Sequence, residues 1–182
     1  MRRVIVSNQI SIDGVIEAPS PDSWYIAEGA HEESASLDQL LAADDLLLGR
    51  KTYEGLAAVW PEITDDRGFA DRVNSLPKHV ASRTLQEPLT WNATLIKGDL
   101  AEYVADLRQQ AGGNILVYGG GEFAYHLVAE GLADEIPFWV HPSVWGPGER
   151  PFLGKGPVRL WLTATTTFNS GVTLLRYRTS PD

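Results

Sequence analysis

A chain of 182 residues, 43% hydrophobic and 21% charged, suits one globular domain spanning residues 1–182 with a sizeable core. A formal net charge of -9 argues against nucleic acid as a partner, because duplex binding draws on clustered Lys and Arg. With no cysteine there is no disulfide, thiolate nucleophile or Cys-ligated zinc, and no run approaches the roughly 18 apolar residues of a membrane span, so a cytoplasmic protein is expected.

In chain order, Arg3 to Asn8 reads as a buried strand and Ser11 to Gly29 as a long loop carrying Asp13-Gly14 and Pro19-Ser-Pro21. His31 to Ala43 has helical periodicity, the strand Leu46 to Leu48 follows, and a helix begins near Thr52. Arg67 to Asn74 reads as a helix ending before Pro77, followed by short strands around Val80 and Thr94 to Ile96 and a helix from Leu100 to Gln110 stopped by Gly112-Gly113. Next come the strand Ile115 to Tyr118, the helix Glu122 to Glu130, and the strand Glu135 to His141. Strands alternating with helices imply a largely parallel sheet covered on both faces. The end differs: Val158 to Thr166 and Val172 to Arg178, joined by Phe168-Asn-Ser-Gly171, read as an antiparallel hairpin.

Three strand ends carry chemistry suited to anions. After Ile115 to Tyr118 come Gly119, Gly120 and Gly121 and then a helix start with Glu122 and Phe123. Glycines let a ligand approach the main chain, and the helix points unpaired N–H groups and its dipole at it. The glycines have a simpler reading as a strand-to-helix turn alone. A second strand runs into Gly49, followed by Arg50, Lys51 and Thr52, and a third ends in Ser82, Arg83 and Thr84, a hydroxyl and guanidinium set suited to a phosphate monoester. A dinucleotide carrying a pyrophosphate and a 2'-phosphate would use this many sites, which points to NADPH; Arg83 and Arg50 are alternative ligands for the 2'-phosphate.

Other chemistries find no support. His31, His79, His126 and His141 have no metal-ligand spacing, so no metal is expected. Ser7, Ser11 and Ser82 lack the Gly-x-Ser-x-Gly elbow of a serine hydrolase. The glycine run misses the Gly-x-Gly-x-x-Gly fingerprint, with Ala124 at its third glycine position, but some variants tolerate alanine there, so an ordinary Rossmann reading stays open as an alternative.

Ser11-Ile-Asp-Gly14, Gly49-Arg-Lys-Thr52, Ala81-Ser-Arg83, Tyr118-Gly-Gly-Gly121, Ala133-Asp-Glu135, Pro142 with Gly146-Pro-Gly148 and Pro151-Phe152, and the strands around Asn169-Ser-Gly171 stand in a specific order. In that order the chain resembles, nearly end to end, the dihydrofolate reductase superfamily, and within it reductases like the C-terminal half of the bacterial riboflavin-biosynthesis deaminase-reductase. The resemblance implies a three-layer α/β fold with a mostly parallel central sheet, helices on both faces and a C-terminal antiparallel hairpin. It also implies NADPH as hydride donor and a small heterocyclic substrate, a ribosylaminouracil-phosphate-like pyrimidine or a pterin, and makes a homodimer plausible. Trp139, Trp145 and Trp161 are candidate contacts between copies, or else core.

The family's folate-reducing members place a carboxylate just past a loop tryptophan. Trp24 matches that tryptophan, but Tyr25, Ile26, Ala27, Glu28 and Gly29 follow, leaving no carboxylate at the equivalent position and counting against folate reduction. The candidate catalytic residues are therefore Asp13, Glu28 and Glu32, with Glu33 a weaker alternative, while Trp24 and Tyr25 are candidates to line the ring pocket. Each has a structural reading too: capping or solvation for the glutamates, a turn for Asp13, a loop anchor for the aromatics. A module that binds NADPH without turnover is the alternative function.

Overall fold

The computed structural model describes residues 1–16, 30–152 and 156–180, with the backbone alone at 30–33. The chain forms two compact units, Met1–Val4 with Leu37–Tyr118, and Ile5–Ser36 with Gly119–Asp182.

In the first unit β2 (Ala43–Gly49), β3 (Lys78–Ala81), β4 (Ala93–Leu95) and β5 (Asn114–Tyr118) are all parallel, in the order β4-β3-β2-β5. Leu46, Leu47, Leu48, Ile115, Leu116 and Val117 are fully buried, which is why β2 and β5 read as continuous apolar runs: the strands of a parallel sheet are covered on both faces. Gly49 pairs with Ala81 and Leu47 with Val117, so the carboxyl ends of β3, β2 and β5 lie side by side.

Helices α2 (Arg50–Ala57), α3 (Phe69–Ser75) and α4 (Leu100–Gln109) connect these strands. Asp99 caps α4 by accepting from the N–H groups of Ala101 and Glu102, and Asp65 does the same before α3 for Arg67, Phe69 and Ala70. At the amino ends of the strands, Asp45 pairs with Arg2 and with His79 Nε2 at 2.8 Å, while His79 Nδ1 meets the Tyr103 hydroxyl at 2.7 Å. Burial pulls the Asp45 carboxyl up, but the bonds from His79 and Arg2 outweigh it and hold the group below its ordinary range. Lys78 is 1% exposed; its Nζ donates to the Asn74 carbonyl at 2.8 Å and lies 4.2 Å from the centroid of the Trp91 ring.

The strands of the second unit run β1-β6-β8-β7, comprising β1 (Val4–Ser11), β6 (Glu135–His141), β8 (Thr173–Arg178) and β7 (Trp161–Thr167). β1 and β6 are parallel, and β8 is antiparallel to both β6 and β7. Trp139, Val172 and Leu174 form a buried cluster against which Ala35 of α1 (Ala30–Leu41) and Phe168 pack. The helix α5 (Glu122–Ala129) buries Ala124, Tyr125, Leu127 and Val128. The chain is thus an α/β protein, mostly parallel, with a C-terminal antiparallel hairpin.

Boundaries move where pairing outweighs local propensity. Ala43, expected to end α1, opens β2 instead, because the neighbouring Ala42 carbonyl is claimed by the Asn114 N–H at 2.8 Å. Val158, expected in β7, precedes the ladder, which begins at Trp161 opposite Arg178. Trp60–Glu62 forms a short 3-10 turn that the pattern does not announce. Trp139 and Trp145 are buried, whereas Trp161 is half-buried beneath the Arg159 guanidinium. Among the described residues no helix is long and apolar enough to cross a membrane, and no group of His, Asp and Glu is arranged to hold a metal ion.

Candidate active site

β5 ends at Tyr118 and passes straight into the glycine turn. Gly119 adopts φ +96°, a left-handed conformation that a side chain would strain, and Gly121 is the N-cap of α5, with no side-chain cap among the described residues. Gly120 has no room for a β-carbon because the Asn8 amide oxygen fills that space, and a β-carbon on Gly121 would lie 3.0 Å from Glu149 Oε1. The 149–152 segment is tied alongside: the Phe152 N–H donates to the Gly120 carbonyl at 3.2 Å, and the Ile16 N–H donates to the Glu149 carbonyl at 2.8 Å. Glu122 is exposed and Phe123 half-buried.

Gly49 is the N-cap of α2, again without a side-chain cap. Arg50 is engaged by Glu54 at 2.9 Å in an exposed pair, Lys51 is exposed, and Thr52 is half-buried. At the end of β3, Ser82 Oγ accepts from the N–H groups of Thr84 at 3.1 Å and Leu85 at 3.0 Å, a tight hydroxyl-capped turn that leaves the intervening Arg83 exposed. Thr84 is exposed beside it. Arg83 makes no ion pair among the described residues. Ser82, Arg83 and Thr84 therefore share one turn with Gly49 beside its base, whereas Gly119 to Phe123 belong to the other unit.

Asp13 is a cross-tie. Its Oδ1 accepts from Ser11 Oγ at 2.6 Å and from the Trp145 N–H at 3.1 Å, and its Oδ2 accepts from the Gly146 N–H at 2.8 Å. These bonds, Ser11 foremost, lower its pKa to about 2, so the group is a fixed anion at neutral pH. The Arg150 guanidinium donates to the Asp13 carbonyl. Trp24, Tyr25 and Glu28 lie outside the described residues; Glu32 is on α1 where the backbone alone is described.

Sequence reasoning offers His141, before Pro142 at a strand end, as a residue for the substrate cleft or else a hydrogen-bonded structural histidine, but passes over its partner Gln9. His141 Nε2 lies 2.6 Å from Gln9 Oε1, and the His141 ring packs at 6.2 Å, centroid to centroid, against Trp145. His141 is 6% exposed and burial lowers its pKa, which keeps the ring neutral at pH 7. The signal in the sequence is alternation: Gln9 and Ser11 share a face of β1, and register sets them opposite Trp139 and His141.

The parallel strands, the glycine turn at a strand end and the C-terminal hairpin define a dihydrofolate-reductase-like α/β protein. The chain belongs to the RibD C-terminal domain family, whose model matches residues 2–174. It is 30% identical over 181 residues to the Bacillus subtilis (strain 168) uncharacterized protein YyaP, covering 97% of this chain and 94% of that one. YwjB of the same organism, also uncharacterized, is 27% identical over 176 residues, 95% of this chain and 96% of its own. A putative riboflavin biosynthesis protein from Shewanella sp. PV-4 shares the fold with a TM-score of 0.76 and 23% identity, covering 97% of this chain and 98% of its own. The chain spans 56% of a Thermotoga maritima diaminohydroxyphosphoribosylaminopyrimidine deaminase/5-amino-6-(5-phosphoribosylamino)uracil reductase, with 97% of this chain covered, a TM-score of 0.65 and 17% identity.

Proposed function

We propose that the chain is an NADPH-dependent reductase that transfers hydride to a small heterocyclic substrate, a 5-amino-6-ribosylaminouracil-phosphate-like pyrimidine or a pterin. The observation that carries this reading is the Ser82-Arg83-Thr84 turn at the end of β3, beside Gly49 at the end of β2 where α2 starts without a side-chain cap. Arg83 is the ligand for the 2'-phosphate in preference to Arg50, since Glu54 already holds Arg50. The N-terminus of α2, with Lys51 and Thr52, suits a further phosphate of the same cofactor. Bound NADPH would supply the hydride, leaving the protein to bind, orient and exclude water.

Asp13 enters as a positioning anion that fixes the 145–146 backbone. Trp24, Tyr25, Glu28 and Glu32 are proposed to line the substrate and its proton source. In this reading the protein works in the cytoplasm as a homodimer. The apolar face formed by Phe138, Val140, Leu175 and Tyr177, bordering a cavity of about 440 Å³ with Val158 and Leu160, supports pairing of copies through the C-terminal strands.

The test is titration of the purified protein with NADPH and with NADH, following quenching of its six tryptophans and energy transfer to the reduced nicotinamide. Selective NADPH binding followed by oxidation with a pyrimidine or pterin supports the reading. Binding without turnover leaves a cofactor module, and binding of neither dinucleotide overturns both.

A further inference from the structure

His79 of β3 is held between two partners from its own unit. Its Nε2 lies 2.8 Å from Asp45 Oδ1 and its Nδ1 lies 2.7 Å from the Tyr103 hydroxyl; the His79 and Tyr103 rings are tilted by 57° with centroids 5.6 Å apart. Asp45 is buried, ionised and paired through its other oxygen with the Arg2 guanidinium. A carboxylate can only accept, so in the neutral imidazole the proton sits on Nε2, and the bare Nδ1 accepts the Tyr103 O–H. Burial, with the Asp45 charge adding to it, raises the Tyr103 pKa, so the phenol keeps its proton at neutral pH. Tyr53 and Tyr125 donate instead to the backbone carbonyls of Thr90 at 3.2 Å and Gly156 at 3.4 Å, which are too weakly basic to take a proton. Tyr103 differs from them in facing a base. Removing an electron from a phenol turns its O–H into a strong acid, so a base already in place is what such an oxidation needs.

We infer that Tyr103 is a one-electron redox site with a built-in proton acceptor: a diffusible one-electron oxidant such as a peroxyl radical takes an electron from the ring and is reduced to its anion, the O–H bond breaks, and the proton passes to His79 Nδ1. A neutral phenoxyl radical is left beside an imidazolium whose Nε2–H stays on the Asp45 carboxylate. Asp45 offsets the new positive charge, and Arg2 fixes Asp45 in place. One electron from a thiol or ascorbate-like reductant returns the proton to the phenol and closes the cycle. Tyr103 is half-buried, which leaves its ring within reach of a reagent in solution while the proton stays inside the protein. Asp45, His79 and Arg2 are positioning and proton-holding residues. This activity, a sink for oxidising radicals, uses no nicotinamide and stands independently of the reductase reading.

The test is laser-flash oxidation of the purified protein with photogenerated ruthenium(III) tris-bipyridine, following the visible absorption of the tyrosyl radical. The wild type should form the radical, and more slowly in D2O than in H2O because the proton moves with the electron. Tyr103→Phe should lose most of the signal although five of the six tyrosines remain. His79→Gln keeps a donor for Asp45 and an acceptor for Tyr103 but cannot hold the proton, so radical formation should slow by on the order of tenfold. A purely structural hydrogen bond would leave that rate unchanged. An undiminished signal in Tyr103→Phe, a wild-type rate in His79→Gln, or equal rates in D2O and H2O would overturn the inference. If circular dichroism shows that His79→Gln does not fold, Tyr103→Phe and the solvent isotope effect on the wild type decide the matter.

Discussion

The amide oxygen of Asn8 occupies the space that a β-carbon on Gly120 would need. Asn8 is itself fixed, 1% exposed with its Nδ2 donating to the Val6 carbonyl at 3.1 Å, so the strand and the glycine turn constrain each other. Gly120→Ala should therefore cost about 1–3 kcal/mol of stability through overpacking. Adding Asn8→Ala should return part of it. Denaturant unfolding of the two single variants and the double variant checks the coupling, which is absent if Gly120→Ala unfolds at the wild-type midpoint.

Arg83→Ala should leave the fold intact and remove most of the preference for NADPH over NADH. One charge-assisted bond to phosphate contributes roughly 1.5 to 3 kcal/mol, or about tenfold to a hundredfold in relative affinity. Arg50→Ala should change that ratio far less, because Glu54 already competes for the guanidinium. The ratio of the two dissociation constants in each variant decides the matter; equal weakening toward both cofactors in Arg83→Ala would remove the 2'-phosphate from its account.

Asp13 predicts a dependence on acid. Its pKa is depressed from 3.8 to about 2 in the folded protein, first by the Ser11 hydroxyl, so the stability it contributes is present above about pH 4 and is lost as pH falls through about 2. Asp13→Asn should unfold more easily than wild type at neutral pH. The gap should hold down to about pH 5 and narrow below about pH 4. A gap that stays constant across that window would mean that the carboxylate charge is not what ties the loop.

Lys78 predicts a dependence on alkali with the same sign. Burial lowers its pKa from 10.5 to about 8, so the folded state releases this proton before the unfolded state does, and stability from this group rises between about pH 8 and about pH 10.5. Lys78→Met fills the same space without a charge and should lack that rise. Unfolding curves of both proteins at about pH 7 and about pH 10 should show the difference between them moving in favour of wild type as pH increases.

Much of this is legible in the sequence where the signal is local. Ile115 to Tyr118 followed by three glycines and a helical pattern can be little other than strand, turn and helix, and the Ser82 turn announces itself by a hydroxyl two residues before Thr84. The function of Asp13 is only half legible. A turn before Gly14 is visible, but its acceptor bonds to Trp145 and Gly146 join residues 132 and 133 positions apart. Gln9 as the partner of His141 is hidden for the same reason: the two meet across 132 residues, and only the parallel register of β1 on β6 brings them together. The end of α1 is misjudged because the Ala42 carbonyl is recruited by Asn114, a partner no local window contains.

The Asp13 clamp also sets an order of events. Its two ends, like the β1 and β6 strands from Ile5 opposite Glu135 to Ser11 opposite His141, come from opposite ends of the chain. During synthesis, residues 5–13 leave the ribosome long before residues 135–146 exist to receive them. The parallel sheet from β2 to β5 closes over much shorter separations and can form while the amino-terminal strand still waits. Contacts of such long range form slowly because loop closure precedes their reward. The second unit, with its Asp13 clamp, is therefore the last part of the newborn chain to become competent.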